Sequence, residues 1–272
     1  MPYNKRLVFD PEGGIPRLIE IMRQLRDPNF GCPWDLEQDF FSIAPYTIEE
    51  AYEVVDAIEQ QNWQELKNEL GDLLLQTVFH SQLANEANLF SFEDVVNQVC
   101  NKMITRHPHV FGDNKKKKSA DEQIKDWETQ KEVERVLKDK KGTLDDVALA
   151  LPALKRAIKL QIRAARVGFD WTEIDKVLDK IIEECEELIC ARKAKEQKEI
   201  FEEFGDLLFT IVNLGRHLKV DPEDALRAAN SKFVNRFSYI ENNFINAGNE
   251  LDRSNLADME RLWEEAKLLE KK

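Results

Sequence analysis

An all-α fold built from two tandem helical-bundle copies is predicted by three observations. The chain of 272 residues contains only 10 Gly and 9 Pro, which leaves long uninterrupted stretches. Within them apolar residues recur at helical spacing, and almost none alternate with period two. An acidic signature also occurs twice. Glu49-Glu50-x-x-Glu53 is followed after fifteen residues by Glu69-x-x-Asp72, and Glu183-Glu184-x-x-Glu187 after fifteen by Glu203-x-x-Asp206. The copies close on nearly the same phrase, ELGDLLLQTVF and EFGDLLFTIVN. A period of about 130 residues is domain-sized rather than solenoid-sized. Residues 1–141 and 142–272 are therefore expected to be duplicated domains, each able to bury its own core.

The elements follow in order. Pro16 precedes an amphipathic stretch, LIEIMRQLRD, that leads into Cys32-Pro33-Trp34-Asp35. Helical spacing then runs over residues 49–58 and 66–83. His107-Pro108-His109 reads as a rigid turn, and residues 138–143 (KDKKGT), polar and broken by Gly142, as the linker. The second copy opens after Pro152 with ALKRAIKLQIRAARV, leading into Gly168-Phe169-Asp170-Trp171. Helices are expected over residues 176–191 and 199–218. Asp221-Pro222-Glu223-Asp224 reads as another helix start, with Asp221 as N-cap and Pro222 in the first turn. Ile181, Cys185 and Leu188 on one helix, with Phe201, Phe204, Leu208 and Ile211 on the next, are expected to supply a core.

Composition excludes several classes. Charged residues make up 33% and hydrophobic ones 42%, which suits a soluble protein. No apolar run reaches the length of a membrane span, and MPYNKRLVFDPEGG lacks the apolar region of a secretory signal. Cys32, Cys100, Cys185 and Cys190 form no C-x-x-C pair, so a reducing cytoplasm is expected. A net charge of -13 disfavours nucleic acid as a partner. The one basic block, 115–118, reads as a solvated loop. His80, His107, His109 and His217 show no metal-ligand spacing, and no Walker-type glycine loop or G-x-S-x-G occurs.

The acids form a site if they share a helix face. Lys180, Glu183, Glu184 and Glu187 lie on one side of a helix, as do Glu199, Glu202, Glu203 and Asp206. The short connection predicts an antiparallel hairpin. Two acidic faces side by side repel, and a hard cation removes that penalty. Carboxylate oxygens suit Mg²⁺, and this set is large enough to spare one carboxylate, with Glu183 the candidate, to take a proton from water. Lys232 and Arg236 sit one turn apart, able to reach one polyphosphate, and Trp263 offers a face for a base. The first copy answers with Lys102, Arg106, Trp127 and Lys131. With 52 acidic residues, exposed acidic faces are expected anyway, and both tryptophans could be plain core residues. The second copy at identical spacing favours the site.

These residues resemble the MazG family of all-α nucleoside triphosphate pyrophosphohydrolases. GCPWD at 31–35, APYTIEEAYEVVDAI at 44–58, RHPHVFGD at 106–113, VGFDW at 167–171 and KFVNRF at 232–237 strengthen the match. The resemblance covers nearly the whole chain and fits the two-domain members. It implies Mg²⁺-dependent hydrolysis of NTPs, or dNTPs, to NMP and pyrophosphate, water activated by metal attacking the α-phosphorus. It implies metal ligands at Glu184, Glu187, Glu203 and Asp206. Nucleotide contacts fall at Lys180, Glu199, Glu202, Lys232, Arg236, Trp263 and Lys267, and a homodimer is implied. The first copy keeps Glu50, Glu53, Glu69 and Asp72, but Tyr46 stands where the second has Lys180, and Asn68 where it has Glu202. It is expected to bind metal and handle triphosphates less well. Alternative readings are a dUTPase-like or phosphoribosyl-ATP pyrophosphohydrolase, or an acidic helical adaptor for a protein partner.

Overall fold

The computed structural model describes residues 5–112, 119–120, 122–123, 126–127, 129–130, 142–145, 147–248, 252 and 255–270. The basic block 115–118, Lys131 and linker residues 138–141 lie outside them. The chain divides into two compact units, Met1–Lys131 and Glu132–Lys272, and the described regular elements of both are helices.

Unit 1 contains α1 (Lys5–Val8), α2 (Gly14–Leu25), α3 (Pro33–Glu37), α4 (Phe40–Glu59), α5 (Trp63–Glu86), α6 (Phe92–Arg106) and α7 (Pro108–Phe111). Local chemistry sets the helix starts. Asp39 accepts from the Phe41 and Ser42 amides, both at 2.8 Å, while the Ser42 hydroxyl accepts from the Asp39 amide at 2.9 Å, a reciprocal cap on α4. The Asn62 side chain caps α5 through the Glu65 amide at 3.2 Å. α4 and α5 pack as a hairpin, and α2 packs on α5. Between them lies a core of Met22, Ile43, Val78, Phe79 and Leu83. The turn expected at His107-Pro108-His109 joins two helices: His107 ends α6 and Pro108 opens the single-turn α7.

Unit 2 contains α8 (Ala153–Arg166), α9 (Ile174–Ala194), α10 (Gln197–His217), α11 (Pro222–Asn246) and α12 (Leu256–Leu269). α9 turns into α10 through Lys195, which takes a left-handed conformation at φ 62°. α8 packs on α10 and α11, and α12 packs on α11. Asp221 caps α11 as expected, accepting from the amides of Glu223 at 3.0 Å and Asp224 at 3.2 Å. Lys155 on α8 binds the same carboxylate at 2.7 Å, fixing one helix to the start of the other. A second core gathers Ile240, Phe244 and Leu262, with Tyr239, Met259 and Trp263 packed against it.

The hairpin cores depart from expectation. Burial on α9 follows Val177, Ile181, Glu184, Leu188 and Ala191; on α10 it follows Ile200, Glu203, Leu207, Thr210 and Leu214. Alternating steps of three and four are the spacing of a coiled-coil seam. Unit 1 repeats it at Ile43, Thr47, Glu50, Val54 and Ala57, then Leu66, Glu69, Leu73, Gln76 and His80. Ile181, Cys185 and Leu188 are half-buried. Phe201 (79% exposed), Phe204 (53%), Leu208 (41%) and Ile211 (44%) are not core. α10 carries two apolar stripes, and the less aromatic one faces the seam. No described helix is long and apolar enough to cross a membrane.

Candidate active site

The seam spacing brings the acids together. Because Glu184 and Glu203 occupy seam positions, each projects toward the opposite helix where a hydrophobe would ordinarily sit. In unit 2, Glu184, Glu187 and Glu203 each present an oxygen within 4.8 Å of the others. Glu184 is only 5% exposed. Desolvation, then the charges of Glu187, Glu184, Asp206 and Glu199, push the Glu203 carboxyl above its ordinary pKa. Asp206 thus acts on the cluster although it lies outside the close triad. Lys180 bonds Glu183 at 2.8 Å and Glu184 at 2.9 Å. Those two bonds raise the lysine pKa, Glu183 first, so it is a firmly held cation.

Unit 1 builds the same arrangement from Glu50, Glu69 and Asp72, again within 4.8 Å. Desolvation, a hydrogen bond with Glu65 and the charges of Glu53, Glu65 and Asp72 push Glu69 up to about 7. Glu50 is raised as well, by desolvation and then by Asp72 and Glu53. In unit 2 the charges of the other three expected ligands thus all act on Glu203, and in unit 1 Glu53 and Asp72 act on both Glu50 and Glu69. Both triads are oxygen-only, the donor set of hard cations such as Mg²⁺. The mutual repulsion that lifts these carboxyls is what a bound divalent cation would relieve, so the residues fit the ion. Where Lys180 stands in unit 2, Tyr46 meets Trp34 edge-on at 6.2 Å. Where Glu202 pairs with Lys198 at 3.6 Å, Asn68 donates to Glu65 at 3.4 Å.

The remaining candidates form a separate cluster on α11 and α12. Arg236 pairs with Glu270 at 2.6 Å and lies over the Trp263 ring, 5.3 Å from its centroid. Phe233 packs on the same indole at 5.3 Å, and Lys267 binds Glu264 at 2.8 Å. The Lys232 charge helps hold Glu270 below its ordinary pKa, after Arg236. Trp263 is half-buried against the second core. In unit 1 the Trp127 indole donates to the Arg106 carbonyl at 3.2 Å, and His107 meets it edge-on at 5.3 Å. Lys102 is exposed. Sequence reasoning passed over Gln161, Asn213 and Arg216 and weighed His217 only as a metal ligand, although Arg216 and His217 both grip Asp170. The available signal was a carboxamide at two apolar positions of amphipathic helices.

Comparison with known proteins gives the family. Residues 38–111 match the family model of the MazG nucleotide pyrophosphohydrolase domain. Residues 151–233 match that of phosphoribosyl-ATP pyrophosphohydrolase. The chain is 48% identical over 255 residues to a nucleoside triphosphate pyrophosphohydrolase of Escherichia coli K12, covering 93% of this chain and 97% of that protein. It is 45% identical over 258 residues to the nucleoside triphosphate pyrophosphohydrolase/pyrophosphatase MazG of Thermotoga maritima, covering 94% and 97%. It is 42% identical over 253 residues to an uncharacterised Bacillus subtilis protein, YabN, covering 93% of this chain and 51% of that one. Each acidic hairpin falls within one family match, and the similarity to two of these relatives runs through both copies for nearly their full length: the chain belongs to the MazG family of nucleoside triphosphate pyrophosphohydrolases.

Proposed function

We propose that this chain splits nucleoside triphosphates between the α- and β-phosphates, giving a nucleoside monophosphate and pyrophosphate, with Mg²⁺ held by Glu184, Glu187, Glu203 and Asp206. The observation that supports it is the oxygen-only triad whose members raise Glu203 by desolvation and mutual repulsion. The ion, when bound, supplies positive charge for the phosphate oxygens and makes a water more acidic. The chain's own residues do the rest. Burial of Glu184 fixes one ligand in place, and Lys180 beside it is a cation able to meet a phosphate by a charge-assisted bond. A water oxygen bonds the α-phosphorus, the bond to the bridging α–β oxygen breaks, and the water proton passes to a carboxylate, Glu183 being the candidate. The N-terminal site, lacking the lysine, is the weaker of the two.

The active assembly we propose is a homodimer in the cytoplasm. Phe201, Phe204, Leu208 and Ile211 leave an apolar stripe uncovered on α10, which a second copy would bury. All four cysteines are free, as a reducing compartment requires.

The test uses the full chain with Mg²⁺ and a panel of NTPs, dNTPs and phosphoribosyl-ATP, with products separated by ion exchange. NMP and pyrophosphate are expected, and EDTA should abolish them. Release of NDP and phosphate, or turnover indifferent to EDTA, would sink the proposal. Phosphoribosyl-ATP belongs in the panel because residues 151–233 match that family model, and a strong preference for it would move the reading there.

A further inference from the structure

Unit 1 carries an oxygen beside its acids that unit 2 lacks. The offset that carries Glu50 onto Glu184 carries Gln76 onto Thr210. In unit 2 the Thr210 hydroxyl is engaged, donating to the Asp206 carbonyl at 2.9 Å. In unit 1 Gln76 is 8% exposed, and its side-chain oxygen, Oε1, is buried with no partner. A buried carbonyl oxygen left unmatched is costly, and most such groups in folded proteins are satisfied. The two sites differ in charge as well. Lys180 bonds the ligand Glu184 at 2.9 Å, so a cation already stands at the unit 2 triad, whereas Tyr46 at the matching position brings none.

The surroundings of Gln76 leave that oxygen one direction. Glu69, Asp72, Leu73 and Gln76 share one face of α5 by their spacing. A helical side chain leans back over the residues three and four before it, which for Gln76 are Leu73 and Asp72. Ahead of it the next seam residue, His80, already bonds the Thr47 hydroxyl at 3.1 Å and stacks on Phe40. The flank is apolar: Phe79 and Leu83, which the same offset carries onto Asn213 and His217, belong to the core with Met22 and Ile43. The oxygen is therefore aimed at the triad of Glu50, Glu69 and Asp72, whose own oxygens lie within 4.8 Å of one another.

We propose that unit 1 holds Ca²⁺ through Glu50, Glu69, Asp72 and Gln76 Oε1, as a site that needs no nucleotide and clamps α4 to α5. Ca²⁺ takes six to eight oxygens in irregular geometry, side-chain amide carbonyls among them. Mg²⁺ keeps several waters and relies on one or two carboxylates with substrate phosphates. Three carboxylates binding through both oxygens, with one carbonyl, supply about seven donors, a Ca²⁺ complement. Unit 2 has no such carbonyl and a lysine beside its acids, which leaves positions open for water and phosphate. This rests on reading the acidic hairpins as divalent-cation sites and is independent of hydrolysis.

The test uses the full chain with Glu187→Gln and Asp206→Asn, which disables the unit 2 site, titrated with CaCl₂ or MgCl₂ by calorimetry without nucleotide. Ca²⁺ is expected to bind about 10-fold or more tighter than Mg²⁺. Adding Gln76→Met keeps the side-chain length and removes the oxygen. It is expected to weaken Ca²⁺ about 10-fold or more, to leave Mg²⁺ nearly unchanged, and to hold or raise the ion-free melting temperature, since an unmatched buried group is gone. Gln76→Glu, which keeps an oxygen there, should retain Ca²⁺. Mg²⁺ bound as tightly as Ca²⁺, an unchanged Ca²⁺ affinity in Gln76→Met, or a lower melting temperature with both ions weakened equally overturns the inference. Hydrolysis of NTPs by the wild type while unit 1 binds neither ion overturns it and leaves the activity standing; Ca²⁺ binding without hydrolysis does the reverse.

Discussion

Glu187 and Asp206 are the acids whose removal separates chemistry from folding, because both are exposed while Glu184 is buried. Glu187→Gln or Asp206→Asn is expected to cut turnover by about 100-fold or more by losing a ligand. The metal-free melting temperature should hold or rise, since each like-charge neighbour costs about 0.2–0.5 kcal/mol. Wild-type turnover at saturating Mg²⁺ would refute the ligand assignment. Glu69 and Glu203 add a pH signature. A carboxyl raised in the folded state binds its proton more tightly there than when unfolded, so metal-free stability falls with rising pH. The window opens near the unfolded value of about 4.3 and closes near the folded one, about 7 for Glu69. Mg²⁺ needs the ionised ligands. The Mg²⁺-induced rise in melting temperature is therefore expected to grow from about pH 5 to about pH 8. A shift independent of pH would contradict that assignment.

At the scale of the helix pair, the exposed aromatic stripe of α10 makes its own prediction. Phe201→Glu with Phe204→Glu, at side chains 79% and 53% exposed, is expected to leave the monomer folded and convert a dimer to monomer in light scattering. An unchanged mass would remove that stripe from the interface. Much of the pair was legible in sequence. Proline positions and Asp221 located helix starts, and the doubled signature brought Glu184, Glu187 and Glu203 together as the i, i+3, i+4 spacing requires. The phase of the seam was not legible. Apolar residues on two sides of α10 fit equally well against α9 or against another molecule, and periodicity alone does not rank them. Nor could spacing show that Arg236 is engaged by Glu270, since helical periodicity relates residues on one helix and this contact joins α11 to the end of α12. The cavity of about 280 Å³ that Gln161 lines between α8 and α10 was invisible for a related reason: it depends on which face of α8 meets α10.

On the scale of the molecule, duplication has produced unequal copies. The C-terminal half, from about Gly142, is expected to dimerise and hydrolyse NTPs alone, and the N-terminal half to be much slower at equal concentration. Lys180 neutralises charge at the triad, and Tyr46 does not. Tyr46→Lys with Asn68→Glu in the N-terminal half should raise its rate, and equal activity in the unaltered halves would show that these positions do not matter. Asn213 and His217, standing where unit 1 has Phe79 and Leu83, carry a consequence for heat. The half built for binding has given up apolar packing, the usual exchange of stability for activity. Two units of unequal cohesion need not melt as one. Slow heating should therefore silence the enzyme while half of its helices persist, and calorimetry should place the loss of catalysis in the lower of two transitions. Saturating nucleotide, bound by the folded unit alone, would draw that transition toward the upper one and leave the two units melting together.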